Sequence, residues 1–169
     1  TEWYHSNDKV SSVLYVWQGG MEGGLVMAEL LVGKGNPSGK LVDTFAASVD
    51  DYPSTANFHE SFDYVNYTED IYVGYRYFET IPGAKAKVVY PFGYGLSYTT
   101  FDLDNTAMWE TAEEIFAEVQ ITNTGDAAGK EVIQLYFEAP QGILKKPARQ
   151  LAAFTKTRLL LPGETQLVR

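Results

Sequence analysis

The hydrophobic pattern of the first forty residues predicts a strand, a glycine-rich loop and a helix. The run Val10–Trp17 is short, apolar and rich in β-branched and aromatic residues, which is typical of a buried strand. It leads into Gln18–Gly24, where four glycines indicate a loop. Leu25–Leu31 then contains helix formers with an apolar face, and glycines follow it as stop signals.

The middle of the chain has weaker periodicity. Lys40–Phe45 predicts a second strand, which would complete one βαβ step of a parallel sheet. From residue 46 to about residue 70 the chain is polar and aromatic, a length that is unusual for a structureless connection and typical of a functional or packed loop. Ile71–Phe78 and Val88–Phe101 are dense in tyrosine, phenylalanine and glycine, which favours extended packing segments over helices.

Beyond Asp102 the pattern changes to alternating strands separated by turn signals. Ile115–Thr122 and Glu131–Phe137 have the alternation of sandwich strands, and a turn is predicted at Leu161–Glu164. Further strand candidates are Arg149–Leu161 and Thr165–Val168. An immunoglobulin-like sandwich needs about seven strands, and four or five are predicted here. We therefore expect an incomplete β-sandwich, preceded by the tail of an α/β sheet, so that both ends of the chain interrupt a domain.

Composition and charge exclude several classes of protein. Hydrophobic residues make up 45% of the chain, so a disordered protein is excluded. The formal net charge of -9 disfavours nucleic acid and anionic membranes as partners. Cysteine is absent and only His5 and His59 are present, so neither a disulfide framework nor a metal site is expected. No run is long enough to span a bilayer, which predicts a soluble chain with the cytoplasm and secretion both open.

Glu22 is the first candidate for substrate binding. Glycines flank it on both sides, and it lies between a predicted strand and a predicted helix, where open α/β sheets bind ligands. The alternative is that the Glu22 carboxylate caps the helix and accepts its free N–H groups. Both interpretations stay open, with capping favoured.

A second group of candidates follows the long polar segment. Glu69, Asp70, Tyr75 and Arg76 bring charges and aromatic rings together, a mixture suited to stacking on a sugar and to hydrogen bonds with its hydroxyls. The favoured alternative is that Arg76 pairs with a local carboxylate and that the tyrosines pack against another domain. No neighbouring carboxylates are assigned as a catalytic pair, because 22 acidic residues produce such neighbours by chance.

Six motifs, in order, cover almost the whole chain and resemble the signatures of family 3 glycoside hydrolases. Each is weak alone, and the strength of the resemblance comes from their order. The six segments are Gln18–Gly24, Asn36–Leu41, Ile71–Phe78, Tyr90–Phe101, Asn123–Val132 and Leu161–Glu164.

The resemblance implies a domain organisation. In this family a (β/α)8-like barrel carries the nucleophilic aspartate, a second α/β sandwich domain commonly supplies the acid/base glutamate, and a fibronectin III-like domain often follows. Residues 1–101 then correspond to the end of the α/β sandwich domain with an aromatic linker, and residues 102–169 to an incomplete fibronectin III-like β-sandwich. Both catalytic carboxylates lie outside this chain, so the resemblance implies no catalytic residue here.

The resemblance also implies an activity. It is the retaining, exo-acting hydrolysis of terminal non-reducing β-D-glucosyl residues, from β-linked oligosaccharides or aryl glycosides, without a cofactor. The barrel domain is the implied partner, the segment alone is expected to be inactive, and homo-oligomers stay open. The alternative is a non-catalytic β-sandwich module for interdomain packing, dimerisation or carbohydrate binding. The length of the parent polypeptide discriminates between the two.

Overall fold

The computed structural model describes Tyr4 and residues 6–169. The helices are α1 (Gly23–Leu31) and α2 (Tyr75–Thr80), and 3-10 turns lie at Val49–Asp51, Pro53–Ala56 and Ala84–Lys87. The strands are β1 (Phe45–Ala46), β2 (Val88–Tyr90), β3 (Phe101–Glu110), β4 (Ile115–Asn123), β5 (Val132–Phe137), β6 (Gln150–Lys156) and β7 (Thr165–Val168). Within the described range, no helix is long and apolar enough to cross a membrane.

The described residues divide into two units, each built from three stretches of chain. The first unit comprises the described residues up to Leu14, Lys40–Tyr94 and Gln134–Ala153. The second unit comprises Tyr15–Gly39, Gly95–Ile133 and Phe154–Arg169.

The first unit has a small core beneath α2. Phe78 of α2 is 1% exposed and packs with buried Ala46 and Ala84. Tyr52 lies edge-on to Phe78 at 5.4 Å, and its hydroxyl donates to the Thr44 carbonyl oxygen and accepts from the Ala46 N–H. The Tyr52 hydroxyl thus provides the hydrogen-bond partner of the Thr44 carbonyl and of the Ala46 N–H. The two-residue strand β1 also pairs antiparallel with β2.

The second unit contains an antiparallel sheet in the order β3-β4-β7. Strands β3 and β4 pair from Phe101 opposite Asn123 to Glu110 opposite Ile115, with a register irregularity between Asn105 and Ala107. Beneath the sheet is a core of Ile121, Ile133 and Leu160, against which Phe101, Val119 and Val168 pack. Strands β5 and β6 form a separate two-stranded sheet.

A fully buried amide joins the turns of the second unit. The Asn123 Oδ1 atom accepts from the Thr99 hydroxyl at 2.7 Å, and its Nδ2 atom donates to the carbonyl oxygens of Ala127 and Leu160 at 2.8 and 2.9 Å. Burial of an amide is favourable only when its hydrogen bonds are made, and Asn123 makes them on both sides.

Two strand predictions at the start of the chain are wrong. Val10–Trp17 forms no strand in the described chain, because a β preference without a pairing strand does not form a ladder. The predicted strand at Lys40–Phe45 is reduced to Phe45–Ala46, which pairs antiparallel with β2. The described residues therefore contain no parallel βαβ step of the kind predicted here.

The extended conformation predicted for Ile71–Phe78 is also wrong, because α2 begins at Tyr75. Gly74 precedes α2 with φ at 59°, a left-handed value that a glycine adopts without steric cost and that turns the chain into the helix. Tertiary packing of Phe78 then outweighs the strand preference of the aromatic residues. Within Val88–Phe101, Val88–Tyr90 forms β2, which pairs with β1, and Phe101 is the first residue of β3.

The predictions of α1, of the later strands and of one turn agree with the structure. The predicted helix at Leu25–Leu31 is α1, and strands appear within each of the four predicted strand segments after residue 110. The turn at Leu161–Glu164 is confirmed by the Glu164 N–H to Leu161 carbonyl hydrogen bond and by φ of 78° at Gly163. Strand β3 was not predicted, since its aspartates and asparagine disfavour a strand and only pairing with β4 fixes it.

Candidate functional site

The segment from Glu69 to Arg76 forms a turn followed by the first residues of α2. The Tyr72 N–H donates to the Glu69 carbonyl oxygen at 2.9 Å, and Asp70 adopts a left-handed backbone with φ at 52°. Aspartate tolerates this conformation better than most residues do. The left-handed conformation persists where the surrounding structure fixes the backbone. Glu69 is half-buried, while Asp70 is exposed on the turn.

Arg76 lies next to this turn in the first turn of α2. One terminal guanidinium nitrogen donates to the Ile71 carbonyl oxygen at 3.3 Å, whereas Nε is buried and has no hydrogen-bond partner among the described residues. The predicted pairing of Arg76 with a local carboxylate is not among the ion pairs of the described chain. Arg76 therefore retains hydrogen-bonding capacity, which a buried polar group normally uses.

Tyr75 is engaged in packing. Its ring lies 4.7 Å from the ring of Phe92 and 6.0 Å, edge-on, from that of Tyr136. Its hydroxyl accepts a hydrogen bond from the Leu151 N–H at 2.8 Å. The contacts of Tyr75 favour the packing interpretation over stacking on a sugar.

Residues 148–151 hold α2 at both of its ends, and we call this stretch the 148–151 clamp. The Ala148 N–H donates to the Thr80 hydroxyl at 2.9 Å, at the end of α2 opposite to Tyr75. Between them, the Arg149 guanidinium donates two hydrogen bonds to the Glu79 carboxylate. The fork of an arginine matches both oxygens of a carboxylate, so the pair fixes orientation as well as distance. The clamp thus positions the helix that carries Tyr75 and Arg76.

Burial and charge around the clamp fix its protonation states. The Arg149 guanidinium lies 5.0 Å above the Tyr136 ring, a favourable cation–π arrangement. Hydrogen bonding to Glu79 raises the pKa of Arg149, and burial raises the pKa of Tyr136. Arg149 therefore stays charged and Tyr136 neutral at physiological pH, and the Tyr136 hydroxyl lies 2.6 Å from the Gln134 side-chain oxygen, to which it donates.

A groove of about 220 Å³ lies beside α2 in the first unit. Its lining is mainly apolar, with Phe78, Val88 and Pro91 among the residues, and it includes Thr44. The Thr44 hydroxyl oxygen is buried and has no hydrogen-bond partner among the described residues. Ligand pockets usually start at about 300 Å³, so we assign no binding role to this groove.

Glu22 belongs to the second unit, unlike the other four candidates. It occupies the N-cap position of α1, where its backbone carbonyl accepts from the Val26 N–H at 3.0 Å. Its side chain is exposed and makes no capping hydrogen bond, so the capping interpretation is wrong for the carboxylate. Glu22 remains a candidate by its position between the glycines.

Among the described residues, no three His, Asp or Glu side chains form a group that could hold a metal ion. His59 is exposed and its ring lies 4.4 Å from that of Phe58, while His5 lies outside the described residues. Sequence reasoning missed Glu79, Arg149 and Tyr136. Glu79 and Arg149 are 70 residues apart, and no local pattern signals a contact over that separation.

Comparisons with protein families match both parts of the chain. Residues 1–98 match the glycosyl hydrolase family 3 C-terminal domain, and residues 131–169 match a fibronectin type III-like domain. These matches confirm the predicted fold class, the tail of an α/β domain followed by a β-sandwich.

Curated relatives are similar over nearly the whole chain. Beta-glucosidase A of Butyrivibrio fibrisolvens is 59% identical and aligns with 99% of this chain and 22% of its own length. A beta-glucosidase of Ruminococcus albus is 50% identical, over 92% of this chain and 16% of its own length. The chain therefore spans about a fifth of the length of these relatives.

Solved structures give the same result. A beta-glucosidase from Paenibacillus barengoltzii has a TM-score of 0.84 and 55% identity, covering 90% of this chain and 17% of that one. Beta-glucosidase 3B from Thermotoga neapolitana, in complex with alpha-D-glucose, has a TM-score of 0.84 and 47% identity, covering 91% of this chain and 22% of that one. By its family match and its order of motifs, the chain belongs to glycosyl hydrolase family 3.

Proposed function

We propose that this chain works as a segment of a retaining, exo-acting β-glucosidase that removes terminal non-reducing β-D-glucosyl residues. The observation that carries the proposal is the alignment of 92–99% of the chain with two curated relatives that are named as beta-glucosidases. The substrate class is a β-linked oligosaccharide or an aryl β-glucoside. The catalytic barrel, as the resemblance implies, is contributed by sequence outside these 169 residues.

The chemistry needs two carboxyl groups on either side of the glycosidic bond. In a retaining enzyme one forms a covalent glycosyl intermediate, and the other first protonates the leaving group and then activates water. We assign neither role to a residue of this chain, and the proposed reaction needs no metal or organic cofactor. The chain then contributes structure and substrate-side contacts, with a domain boundary near Phe101.

The five candidate residues divide into two roles under this proposal. Glu69, Asp70 and Arg76 are proposed to face the substrate side, since Asp70 is exposed and a terminal guanidinium nitrogen of Arg76 reaches the Ile71 carbonyl oxygen beside this turn. Tyr75 supports them from within, because its hydroxyl accepts from the Leu151 N–H and its ring packs against Phe92 and Tyr136. Glu22, in the other unit, is a separate candidate for substrate contact.

A chimaeric enzyme tests the proposal. The segment of the Butyrivibrio beta-glucosidase A that aligns with this chain is replaced by these 169 residues, and hydrolysis of 4-nitrophenyl β-D-glucoside and β-D-xyloside is measured. We expect glucoside hydrolysis within about tenfold of the parent enzyme, because 59% of the aligned residues are identical. The isolated chain is expected to hydrolyse neither compound.

Two outcomes contradict the proposal. One is a folded chimaera without glucosidase activity, and the other is a chimaera that prefers the xyloside. Folding of the chimaera is checked by its thermal unfolding transition. Hydrolysis by the isolated chain would show instead that a catalytic pair lies within these residues.

A further inference from the structure

A second groove of the first unit lies at the C-terminal end of α2, and we call it the 138–148 groove. Its volume is about 500 Å³, within the range of about 300–1,000 Å³ that ligand sites usually have. One wall is formed by Tyr72 and the end of α2, and the other by the connection between β5 and β6. Because the Tyr72 N–H donates to the Glu69 carbonyl oxygen, the groove adjoins the turn that carries the candidate residues.

Hydrogen bonds within the β5–β6 connection hold its wall in shape. The Lys146 N–H donates to the Gln141 side-chain oxygen at 3.0 Å, and the Gln141 side-chain nitrogen donates to the Lys146 carbonyl oxygen at 3.2 Å. The Lys146 ammonium donates to the Pro140 carbonyl oxygen at 3.0 Å. The hydrogen bond from Ala148 to Thr80 joins this wall to α2. A preformed site loses less conformational entropy when a ligand binds, so the groove is suited to binding.

Three side chains on the walls are available to a ligand. Tyr72, Glu138 and Lys145 line the groove, and their side chains make no hydrogen bond or ion pair with other described residues. Glu138 and Lys145 are exposed, and Tyr72 is half-buried. The lysine supplies hydrogen-bond donors, the glutamate supplies acceptors, and the tyrosine supplies a ring with a hydroxyl.

The balance of charge in the groove indicates the class of ligand. The available ammonium of Lys145 is matched by the available carboxylate of Glu138, so an anion would be repelled by one and a cation by the other. The net charge of -9 on the whole chain further disfavours an anion. A neutral molecule with several hydroxyls uses both groups, and the apolar face of a sugar ring packs against an aromatic ring. The groove therefore fits a neutral saccharide.

We propose that the 138–148 groove binds a glucosyl unit of a β-linked oligosaccharide. The Tyr72 ring packs against the sugar, and the side chains of Glu138 and Lys145 form hydrogen bonds with its hydroxyls. The glucosyl identity rests on the proposed function, whereas the preference for a neutral saccharide rests on the groove alone. Since residues 138–148 lie within the fibronectin type III-like match, this part of the chain would contact substrate directly.

Hydrogen exchange in the chimaeric Butyrivibrio enzyme tests the proposal. The probe is the analogue of cellobiose in which sulfur replaces the glycosidic oxygen, so that the ligand is not hydrolysed. We expect exchange of residues 138–148 to slow by about fivefold at saturation, because the ligand holds this connection against α2. Residues 165–168 of β7, already paired with β4, are the internal reference. The concentration at half of the change gives the affinity, and the same titration is made on the isolated chain.

Two pairs of matched variants test the contacts. Tyr72→Ala removes a ring from the groove, whereas Tyr67→Ala removes a 92% exposed ring of the same unit from outside it. Lys145→Ala and Lys85→Ala remove an ammonium from inside and outside the groove in the same way. We expect about fivefold weaker binding with Tyr72→Ala and about threefold weaker binding with Lys145→Ala, and less than about twofold change in the controls.

Two further variants keep the test decisive. If Tyr72→Ala does not fold, Tyr72→Leu removes the ring while it keeps apolar bulk, and the same loss of affinity is expected. Glu138→Gln separates a sugar from an anion. A sugar hydroxyl donates more strongly to a carboxylate than to an amide, so sugar binding should weaken by about threefold. Binding of inorganic phosphate, which the carboxylate repels, would instead strengthen.

The outcomes separate this inference from the proposed function. Unchanged exchange at residues 138–148, equal effects of a groove variant and its control, or tighter binding of phosphate than of the disaccharide overturns the groove proposal. A chimaera that shows the slowed exchange without hydrolysing glucosides supports the groove and contradicts the proposed function. Glucoside hydrolysis without any change at the groove contradicts the groove proposal alone.

Discussion

Helices α1 and α2 are both short, yet the structure holds them in opposite ways. Helix α2 has six residues, with Phe78 buried beneath it and the 148–151 clamp across both of its ends. Helix α1 has nine residues, none of them buried, and is attached near Leu30. Helices of this length are marginal in water without tertiary packing. The comparison shows that side-chain contacts, rather than length or composition, decide how firmly each helix is held.

Removing one large apolar side chain from each helix should give the largest contrast. Phe78→Ala is expected to lower the free energy of unfolding by about 3–5 kcal/mol, because it empties a fully buried site. Leu25→Ala should change it by less than about 0.5 kcal/mol, because Leu25 is largely in water. Chemical denaturation followed by circular dichroism measures both.

Phe78→Leu keeps this test valid if the alanine variant does not fold. It should cost clearly less than Phe78→Ala, since most of the buried volume is kept. Equal losses for the variants of Phe78 and Leu25 would show that α1 is packed as firmly as α2.

The clamp should contribute a smaller, measurable amount. Arg149→Ala is expected to cost about 1 kcal/mol, because the pair with Glu79 is bidentate but partly exposed, with side chains 44% and 16% exposed. The matched control is Arg158→Ala in the second unit, whose pair with Glu164 is more exposed on both sides and should contribute about 0.5 kcal/mol or less.

Hydrogen exchange gives the clamp prediction a local measurement. The Leu151 N–H donates a hydrogen bond to the Tyr75 hydroxyl. Loss of Arg149 should speed the exchange of this amide and leave the exchange rates in β7 unchanged. If Arg149→Lys behaved like the wild type, the charge at position 149 alone, and not the two-pronged hydrogen bonding of arginine, would account for the stability that the clamp contributes.

The hydrogen bond from Tyr98 to α1 predicts a weaker effect still. Tyr98→Phe removes the hydroxyl that donates to the Leu30 carbonyl, which is exposed enough for water to replace it, so we expect a loss of about 0.5 kcal/mol. The measurable change should instead be faster exchange within residues 28–31. A loss as large as that of Phe78→Ala would overturn the contrast between the helices.

The smallest effect should be the pH dependence that Asp51 contributes in the first unit. Hydrogen bonding from the Ser48 backbone, with Lys87 nearby, lowers the pKa of Asp51 below its usual 3.8. A lowered pKa in the folded state means that the contribution is present above pH 4 and disappears as the pH falls through the lowered value. Asp51→Asn should therefore reduce the difference between the free energies of unfolding measured at pH 7 and at pH 3.

Local sequence signals predicted the elements whose formation depends on local residues. Helix α1, strands β4 and β7 and the turn at Gly163 follow from helix formers, alternation and a left-handed glycine. Helix α2 and strand β3 were missed because Phe78 packing and β4 pairing outweigh their local preferences. The order of the motifs, rather than any single one, was enough to indicate the family.

The candidate site was predictable only in part. The sequence placed Tyr75 and Arg76 beside acidic residues but gave no indication of the Arg149 contact that holds their helix. Contacts across 70 residues depend on how the whole chain folds, and neither charge nor spacing near either residue marks them.

The exposure of α1 also bears on what happens to such a chain inside a cell. Exposed apolar surface is the feature by which chaperones recognise incomplete folding, and through which incompletely folded chains aggregate. Helix α1, which has no buried residue, presents such a surface, and a contact that covered it would remove the signal.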